Sequence, residues 1–199
     1  MSITVEFRRH STRDGVDGKT IGRGGMFLAR TVGERQLRNR GFTHFCVSPL
    51  WRTQQTLVGF AEGAEDFALK DTPLQTPIYV QTTPEMRQLY RACRVAGLEN
   101  KDMLLAALAH NEKLARKTAA DMADLFRKWI AALTDGSKVL VVGHSPEMEL
   151  LALAIAKRTI PSLKPCEGFR LIVTSDKTVL EHGSLDLTPP TLSPGGALL

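Results

Sequence analysis

Basic side chains follow three separate apolar runs in this chain of 199 residues. The pair Arg9-His10 follows the first run, Arg52 lies a few residues beyond the second, and His144 follows the third. An arginine presents a planar, permanently charged fork that binds two phosphoryl oxygens at once, and a neutral imidazole can attack phosphorus to form a phosphohistidine. These residue types therefore predict a site that transfers a phosphoryl group.

The residues divide into a nucleophile and a phosphate pocket. His10 is the predicted nucleophile, and Arg9 and Arg52 grip the phosphoryl group from two sides. His144 donates to the phosphoryl oxygens as negative charge develops on them. No metal ion or other cofactor is expected, because two arginines and a protonated histidine already balance the phosphoryl charge. An Arg-His pair alone is more often an ordinary surface or core pair, so the hypothesis depends on the three stretches occurring together.

The elements that must position these residues have the pattern of strands followed by helices. Residues 2–7 alternate as a half-buried strand does, residues 43–47 form a second strand, and the apolar run 138–143 is typical of a buried strand in a parallel sheet. In an open α/β sheet, ligands bind beyond the carboxyl ends of the strands. The sequence therefore predicts an α/β fold, a three-layer sandwich with a mostly parallel central sheet and helices on both faces.

The rest of the pattern completes one domain. Helices are predicted over 25–40, 51–60, 84–95, 111–133 and 147–157, a short strand around 78–80, and a closing strand pair at 169–174 and 178–181. Gly97 is the predicted stop of the third helix. We expect residues 1–185 to form a single domain and the Pro- and Gly-rich residues 186–199 to form a C-terminal tail.

Four stretches carry recognisable motifs. They are Arg9-His10, residues 21–29 around Gly25, Ser48-Pro49-Leu50-x-Arg52-x-x-Gln55-Thr56, and Val142-Gly143-His144-Ser145-Pro146. In this order they resemble the motifs Arg-His-Gly, Leu-Thr-x-x-Gly-x-x-Gln-Ala, Ser-Pro-Leu-x-Arg-Ala-x-Gln-Thr and Val-Gly-His-Asn-Pro of the histidine phosphatase superfamily, also called phosphoglycerate-mutase-like, in its smaller branch. The resemblance implies that fold, a phosphohistidine intermediate on His10, and a phosphate pocket made of Arg9, Arg52 and His144.

Two residues beside the nucleophile depart from the pattern of the superfamily. Ser11 replaces the usual glycine, and Arg13 stands where a Ser or Thr often contacts substrate. We expect both Ser11 and Arg13 to bind substrate, with Arg13 recognising a second anionic group. A solvent-exposed Arg13 in a polar loop is the plain alternative.

The general acid that protonates the leaving oxygen is expected at Glu85, because the larger relatives keep theirs after the third strand. A first-turn acid that is stabilised by the helix dipole is the plain alternative for Glu85. Glu147 is a second candidate for the acid. The plain alternative for Glu147 is a residue that merely starts a helix. The Glu-Gly pair of the mutases is absent after Glu85, which argues against a phosphomutase.

The composition limits the partners and the compartment. The formal charge of +5 suits an anionic partner, but Lys and Arg form no block of like charge and only 6% of residues are aromatic, so a phosphorylated ligand is favoured over nucleic acid. The three cysteines lie far apart without metal or disulfide spacing, which fits a reducing compartment. Without a signal-peptide pattern or a membrane-length apolar run, we expect a cytoplasmic protein.

The sequence thus predicts a metal-independent phosphatase that hydrolyses phosphomonoesters or phosphohistidine through phospho-His10. Its expected partner is a phosphorylated small molecule or a phosphohistidine protein, with no nucleic acid and no membrane. Two alternatives stay open. One is a non-catalytic phospholigand-binding or scaffold protein on the same fold, and the other, less favoured, is a phosphomutase.

Overall fold

Six strands form one sheet in the computed structural model, which describes residues 1–16, 19–66, 74–75, 78, 83–99 and 101–183. The strands are β1 Ser2–Arg9, β2 His44–Val47, β3 Leu74–Gln75, β4 Lys138–Gly143, β5 Gly168–Thr174 and β6 Thr178–Gly183. Their order across the sheet is β3-β2-β4-β1-β5-β6. The four strands from β3 to β1 run parallel, and β5 and β6 are antiparallel to their neighbours. The predicted mostly parallel sheet is confirmed.

The described residues form five α-helices. They are α1 Arg23–Val32, which continues as a π-helical turn at Gly33–Leu37, α2 Trp51–Ala64, α3 Pro84–Leu98, α4 Met103–Ala131 and α5 Glu147–Ala156. Alternate side chains of β4 show how the layers form, because successive residues of a strand point to opposite faces. Val139 and Val141 pack with α4 and α5, whereas Leu140 and Val142 pack with α1 and α2. The three-layer α/β sandwich is therefore confirmed.

The helix boundaries differ from the predicted ones where a turn signal lies inside a helix. The long helix expected from residue 111 begins earlier, at Met103, and has a break at Asn111, where φ is −159° and ψ is 87°. The Asn111 side chain accepts a hydrogen bond from the Leu114 amide at 3.0 Å, so the sequence signal was a real N-cap within a longer helix. Gly97 does not stop α3, which continues to Leu98.

The third strand of the sheet is β3 at Leu74–Gln75, which pairs with Cys46 and Val47 of β2. Of the strand expected around 78–80, only Ile78 is described, and it lies in a turn. Residues 79 and 80 and the predicted tail 186–199 lie outside the described residues. In the described part of the chain, no helix combines the length and the apolar composition that a membrane span requires.

The sheet topology brings three strand ends side by side. β4 lies between β1 and β2, with Arg9 opposite Gly143 and Val47 opposite Val142. The segments that leave these three strands therefore start at one edge of the sheet. His10 and His144 lie at this edge, and the segment that leads to Arg52 starts there.

Candidate active site

His10 and His144 lie next to each other at this edge. Their ring centroids are 5.1 Å apart and their planes meet at 60°, and both residues are 6% exposed. Arg52 reaches the same place, because its Nη2 lies 3.3 Å from His144 Nδ1. Arg9 is half-buried, and its Nη1 donates to the Leu163 carbonyl. The structure thus places both histidines and Arg52 in one cluster, with Arg9 beside it.

His10 is held as a neutral imidazole with one defined tautomer. Its Nδ1 lies 2.6 Å from the Ser11 carbonyl oxygen, and since a carbonyl only accepts, Nδ1 carries the proton and Nε2 keeps its lone pair. The pKa of His10 is lowered to about 3, chiefly by burial, with the charges of Arg52, Arg9 and Arg13 acting in the same direction and the bond to Ser11 opposing them. A nucleophile needs this form, with an unprotonated nitrogen at neutral pH.

His144 is also neutral, with the opposite tautomer. Arg52 can only donate, so His144 Nδ1 accepts, and its Nε2–H points to Ser48 Oγ at 2.7 Å. The pKa of His144 is lowered to about 2, first by burial and then by the charge of Arg52. The sequence hypothesis has His144 protonated. That form requires the negative charge of a phosphoryl group to offset the nearby arginines.

The start of α2 braces the loop that follows β1. Thr56 Oγ1 accepts from the Ser11 amide at 2.9 Å and donates to the Arg52 carbonyl at 2.8 Å. Gln55 Oε1 accepts from the Ile21 amide at 3.1 Å. Sequence reasoning assigned no role to Ser48, Gln55 or Thr56, although the motif around Arg52 contains all three. Their spacing after β2 was the signal that could have identified them.

Ser11 is placed differently from its predicted role. It is fully buried, and its hydroxyl donates to the Gly25 carbonyl at 2.6 Å. Both its amide and its hydroxyl therefore bind the protein itself, which makes Ser11 a brace between the loop and α1. A substrate contact through the hydroxyl would require that bond to break.

Arg13 is exposed in the same loop, and its charge adds to burial in lowering the pKa of His10, His144 and Arg9. The neighbouring Asp14 fixes the loop, because its carboxylate accepts from the Gly22 amide at 2.6 Å and the Gly25 amide at 3.1 Å. A Cβ on Gly22 would lie 2.6 Å from the Asp14 carbonyl oxygen, so this close approach requires glycine. The structure thus brings Arg13 into electrostatic range of the histidines.

Comparisons with known proteins show what this architecture is similar to. No family model matches the chain, and no curated protein matches it. Among solved structures, phosphoglycerate mutase from Bacillus anthracis str. Sterne superposes with a TM-score of 0.61 at 12% identity, over 92% of each chain. The chain has the phosphoglycerate-mutase-like fold. The fold that the sequence resemblance implied is thereby confirmed.

Other structures of the phosphoglycerate-mutase-like fold match over similar lengths. Bacillus stearothermophilus YhfR has a TM-score of 0.58 at 14% identity, covering 90% of this chain and 96% of that one. Phosphoserine phosphatase from Entamoeba histolytica, in complex with 3-phosphoglyceric acid, has a TM-score of 0.56 at 15% identity, covering 92% and 98%. A fold shared by a mutase and a phosphatase does not choose between their reactions.

Two acidic residues differ sharply in their surroundings within this phosphoglycerate-mutase-like fold. Glu85 is exposed, and hydrogen bonds from its own amide and from Thr83 lower its pKa. Glu147 Oε2 is buried without a hydrogen-bond partner among the described residues. Burial raises the pKa of Glu147, although its own amide and the charges of Arg52 and Arg9 oppose the shift. A general acid must hold its proton until it is needed, and the direction of the shift favours Glu147.

Side chains that could ligate a metal do not converge in the described part of the chain. Among its residues, no group of three or more His, Cys, Asp or Glu side chains is arranged to hold a metal ion. The positive charge beside His10 comes from the side chains of Arg52, Arg9 and Arg13.

Proposed function

We propose that the chain is a metal-independent phosphatase that transfers a phosphoryl group first to His10 and then to water. The observation that carries the proposal is the buried, neutral His10, whose Nδ1–H is fixed by the Ser11 carbonyl at 2.6 Å while His144, Arg52 and Arg9 surround it. This arrangement combines an available nitrogen nucleophile with fixed positive charge, the two groups that phosphoryl transfer requires.

The proposed reaction has two steps. In the first, His10 Nε2 forms a bond to phosphorus while the bond to the leaving oxygen breaks, and a carboxylic acid gives that oxygen its proton. In the second, water attacks the phosphohistidine, loses a proton to the same carboxylate, and releases inorganic phosphate with His10 neutral again. Arg9 and Arg52 offset the phosphoryl charge throughout.

The substrate class within this proposal is a phosphomonoester or a phosphohistidine protein. Two similar structures bear the names phosphoserine phosphatase and glucosyl-3-phosphoglycerate phosphatase, which supports testing small phosphorylated metabolites with a second charged group. Arg13 is exposed near the histidines and has the chemistry to bind such a group. Its contribution would show as a higher KM for substrates with two anionic groups in Arg13→Ala.

The test is turnover of p-nitrophenyl phosphate in the presence of a chelator. We expect the wild-type protein to hydrolyse it and to form an acid-labile phosphoenzyme, and His10→Ala to do neither. His110→Ala is the matched control, because His110 is exposed on α4, and it should behave as wild type. Equal turnover by His10→Ala would contradict the proposal. Phosphate binding without turnover or phosphoenzyme would instead identify a phospholigand-binding protein.

A further inference from the structure

We propose that Glu149 is a positioning residue that fixes Arg9 for phosphate binding by holding Leu163. The inference deepens the proposed function and rests on its assignment of Arg9 to the phosphate pocket. Glu149 lies two residues after Glu147 on α5, and the sequence pattern gave it no role.

The contacts form a chain from the helix to the guanidinium. Glu149 is completely buried, and its Oε1 accepts from the Leu163 amide at 2.9 Å. The carbonyl of Leu163 accepts from Arg9 Nη1. One carboxylate therefore fixes the residue that in turn fixes the direction of the guanidinium.

Leu163 needs such an anchor because of where it lies. It belongs to the segment between α5 and β5, which has neither helical nor strand structure around it, so no ladder of backbone hydrogen bonds sets its position. Ser162 Oγ accepts from the Met103 amide at 2.7 Å, which ties the same segment to α4. Glu149 ties it to α5, on the side that faces Arg9.

The same carboxylate reaches the other side of the pocket. Ser145 Oγ donates to Glu149 Oε1 at 2.6 Å, and Ser145 directly follows His144. Glu149 thus connects the chain beside His144 with the segment that holds Arg9. If Glu149 were displaced, the distance between His144 and Arg9 would change.

The choice of a carboxylate here is not explained by packing. An apolar side chain of similar volume would avoid the cost of burying a charge. Glu149 Oε2 has no hydrogen-bond partner among the described residues. Burial lowers the pKa of Arg9, and the charge of Glu149 is the largest influence that opposes this shift. Among the described residues, Glu149 also acts on the Cys93 thiol of α3, and Arg9 is the cation that acts on Glu149.

The experiment measures binding of inorganic phosphate by calorimetry, because binding does not depend on turnover. Glu149→Met removes both acceptor oxygens at similar volume, and we expect at least about a tenfold loss of phosphate affinity, since small displacements of a charged clamp are costly. Glu149→Gln keeps one acceptor oxygen and should recover most of the lost affinity. Glu167→Gln is the control, because Glu167 also acts on Arg9 while its side chain accepts from the Lys164 amide and not from that of Leu163; it should change affinity by less than about twofold.

Folded Glu149→Met that binds phosphate as wild type does would overturn the inference. If Glu149→Met does not fold, Glu149→Asp replaces it, because the shorter side chain keeps the charge but cannot reach both Ser145 and Leu163; wild-type affinity in that variant would equally overturn it. A wild-type protein that binds phosphate without hydrolysing p-nitrophenyl phosphate contradicts the proposed function. In that case, weaker phosphate binding by Glu149→Met still supports the positioning role.

Discussion

Two buried imidazoles lie beside two arginines in this site, and both imidazoles are neutral for the same physical reason. Removing them from water penalises the charged form, and the nearby guanidinium groups add to that penalty. The hydrogen-bond partners then separate the roles, because a carbonyl fixes the proton on Nδ1 of His10 and Arg52 fixes it on Nε2 of His144. Only His10 is left with an unprotonated Nε2.

Arg52 provides a test of the predicted clamp. Arg52→Lys keeps the positive charge but loses the planar fork that binds two oxygens, so it should cost on the order of 1.5 to 3 kcal/mol. This corresponds to roughly a ten- to hundredfold fall in kcat/KM for p-nitrophenyl phosphate, with the fold intact. Circular dichroism checks the fold, and Arg116→Lys, on the exposed surface of α4, is the control. Wild-type kinetics in Arg52→Lys would remove Arg52 from the pocket.

The two candidate acids are distinguished by the leaving group. An alkyl phosphate needs a proton on its leaving oxygen, whereas p-nitrophenolate leaves without one. If Glu147 is the acid, Glu147→Gln should lower kcat/KM for an alkyl phosphate by about a hundredfold or more and have a much smaller effect on p-nitrophenyl phosphate. Glu85→Gln should change both by less than about twofold. The reverse pattern would assign the acid to Glu85, as the sequence resemblance implies.

At the scale of the elements, the contact between α1 and α2 supports the site. These helices carry the residues that brace Ser11, namely Gly25 on α1 and Thr56 on α2. They approach so closely that a Cβ on Gly63 would lie 1.9 Å from the Arg30 carbonyl oxygen. Because that oxygen belongs to the backbone, the clash could be relieved only if one of the two helices moved.

Gly63→Ala should therefore destabilise the protein by about 1 to 3 kcal/mol, as overpacking does. Gly97→Ala is the matched control within another helix, because its Cβ would meet only the flexible Met103 side chain, with Sδ at 3.1 Å. That change should be neutral or stabilise by up to about 1 kcal/mol, since Ala favours helix over Gly. Urea unfolding measures both. A Gly63→Ala protein as stable as Gly97→Ala would contradict the close approach.

The helices and strands could be predicted from the sequence where a single hydrophobic pattern dominates a segment. The buried strand at 138–143 was confirmed with its boundaries unchanged, because an uninterrupted apolar run has few alternatives. The helix predicted to start at Asn111 does have its N-cap there, but a further helical segment from Met103 precedes it, and α3 continues one residue past Gly97 to Leu98. The position of β3 was beyond local patterns, because its pairing with β2 decides it.

At the scale of the whole molecule, the strand order explains why sequence could predict a cluster from distant segments. Parallel strands end at one edge, so residues following β1 and β4 had to meet there, and His10 and His144 do. The bridges from Glu149 to Leu163 and from Thr56 to Ser11 could not be predicted in this way. They join segments whose relative position depends on packing between helices and loops, which no local period records.

The buried titratable groups also determine how stability depends on pH. A histidine of the unfolded chain takes up a proton near its ordinary pKa of 6.5. In the folded protein, His10 and His144 stay neutral until their lowered pKa values of about 3 and about 2 are approached. Their contributions are present at neutral pH and are lost on acidification. Glu149 acts in the opposite direction, because burial raises its pKa from 4.5 to about 7. Its contribution is complete below pH 4.5 and decreases as the pH rises through its folded pKa.

Urea unfolding at about pH 7 and about pH 5 separates these effects. When the pH falls from about 7 to about 5, the titration of His10 and of His144 should each lower the free energy of unfolding by about 2 kcal/mol, and that of Glu149 should raise it by about 2 kcal/mol. We therefore expect Glu149→Gln, which cannot titrate, to lose about 2 kcal/mol more than the wild-type protein over this interval. His144→Asn should lose less than wild type, because it lacks one of the two protons that unfolding takes up. Equal losses in wild type and Glu149→Gln would mean that Glu149 titrates near its ordinary pKa, as a solvated carboxyl group does.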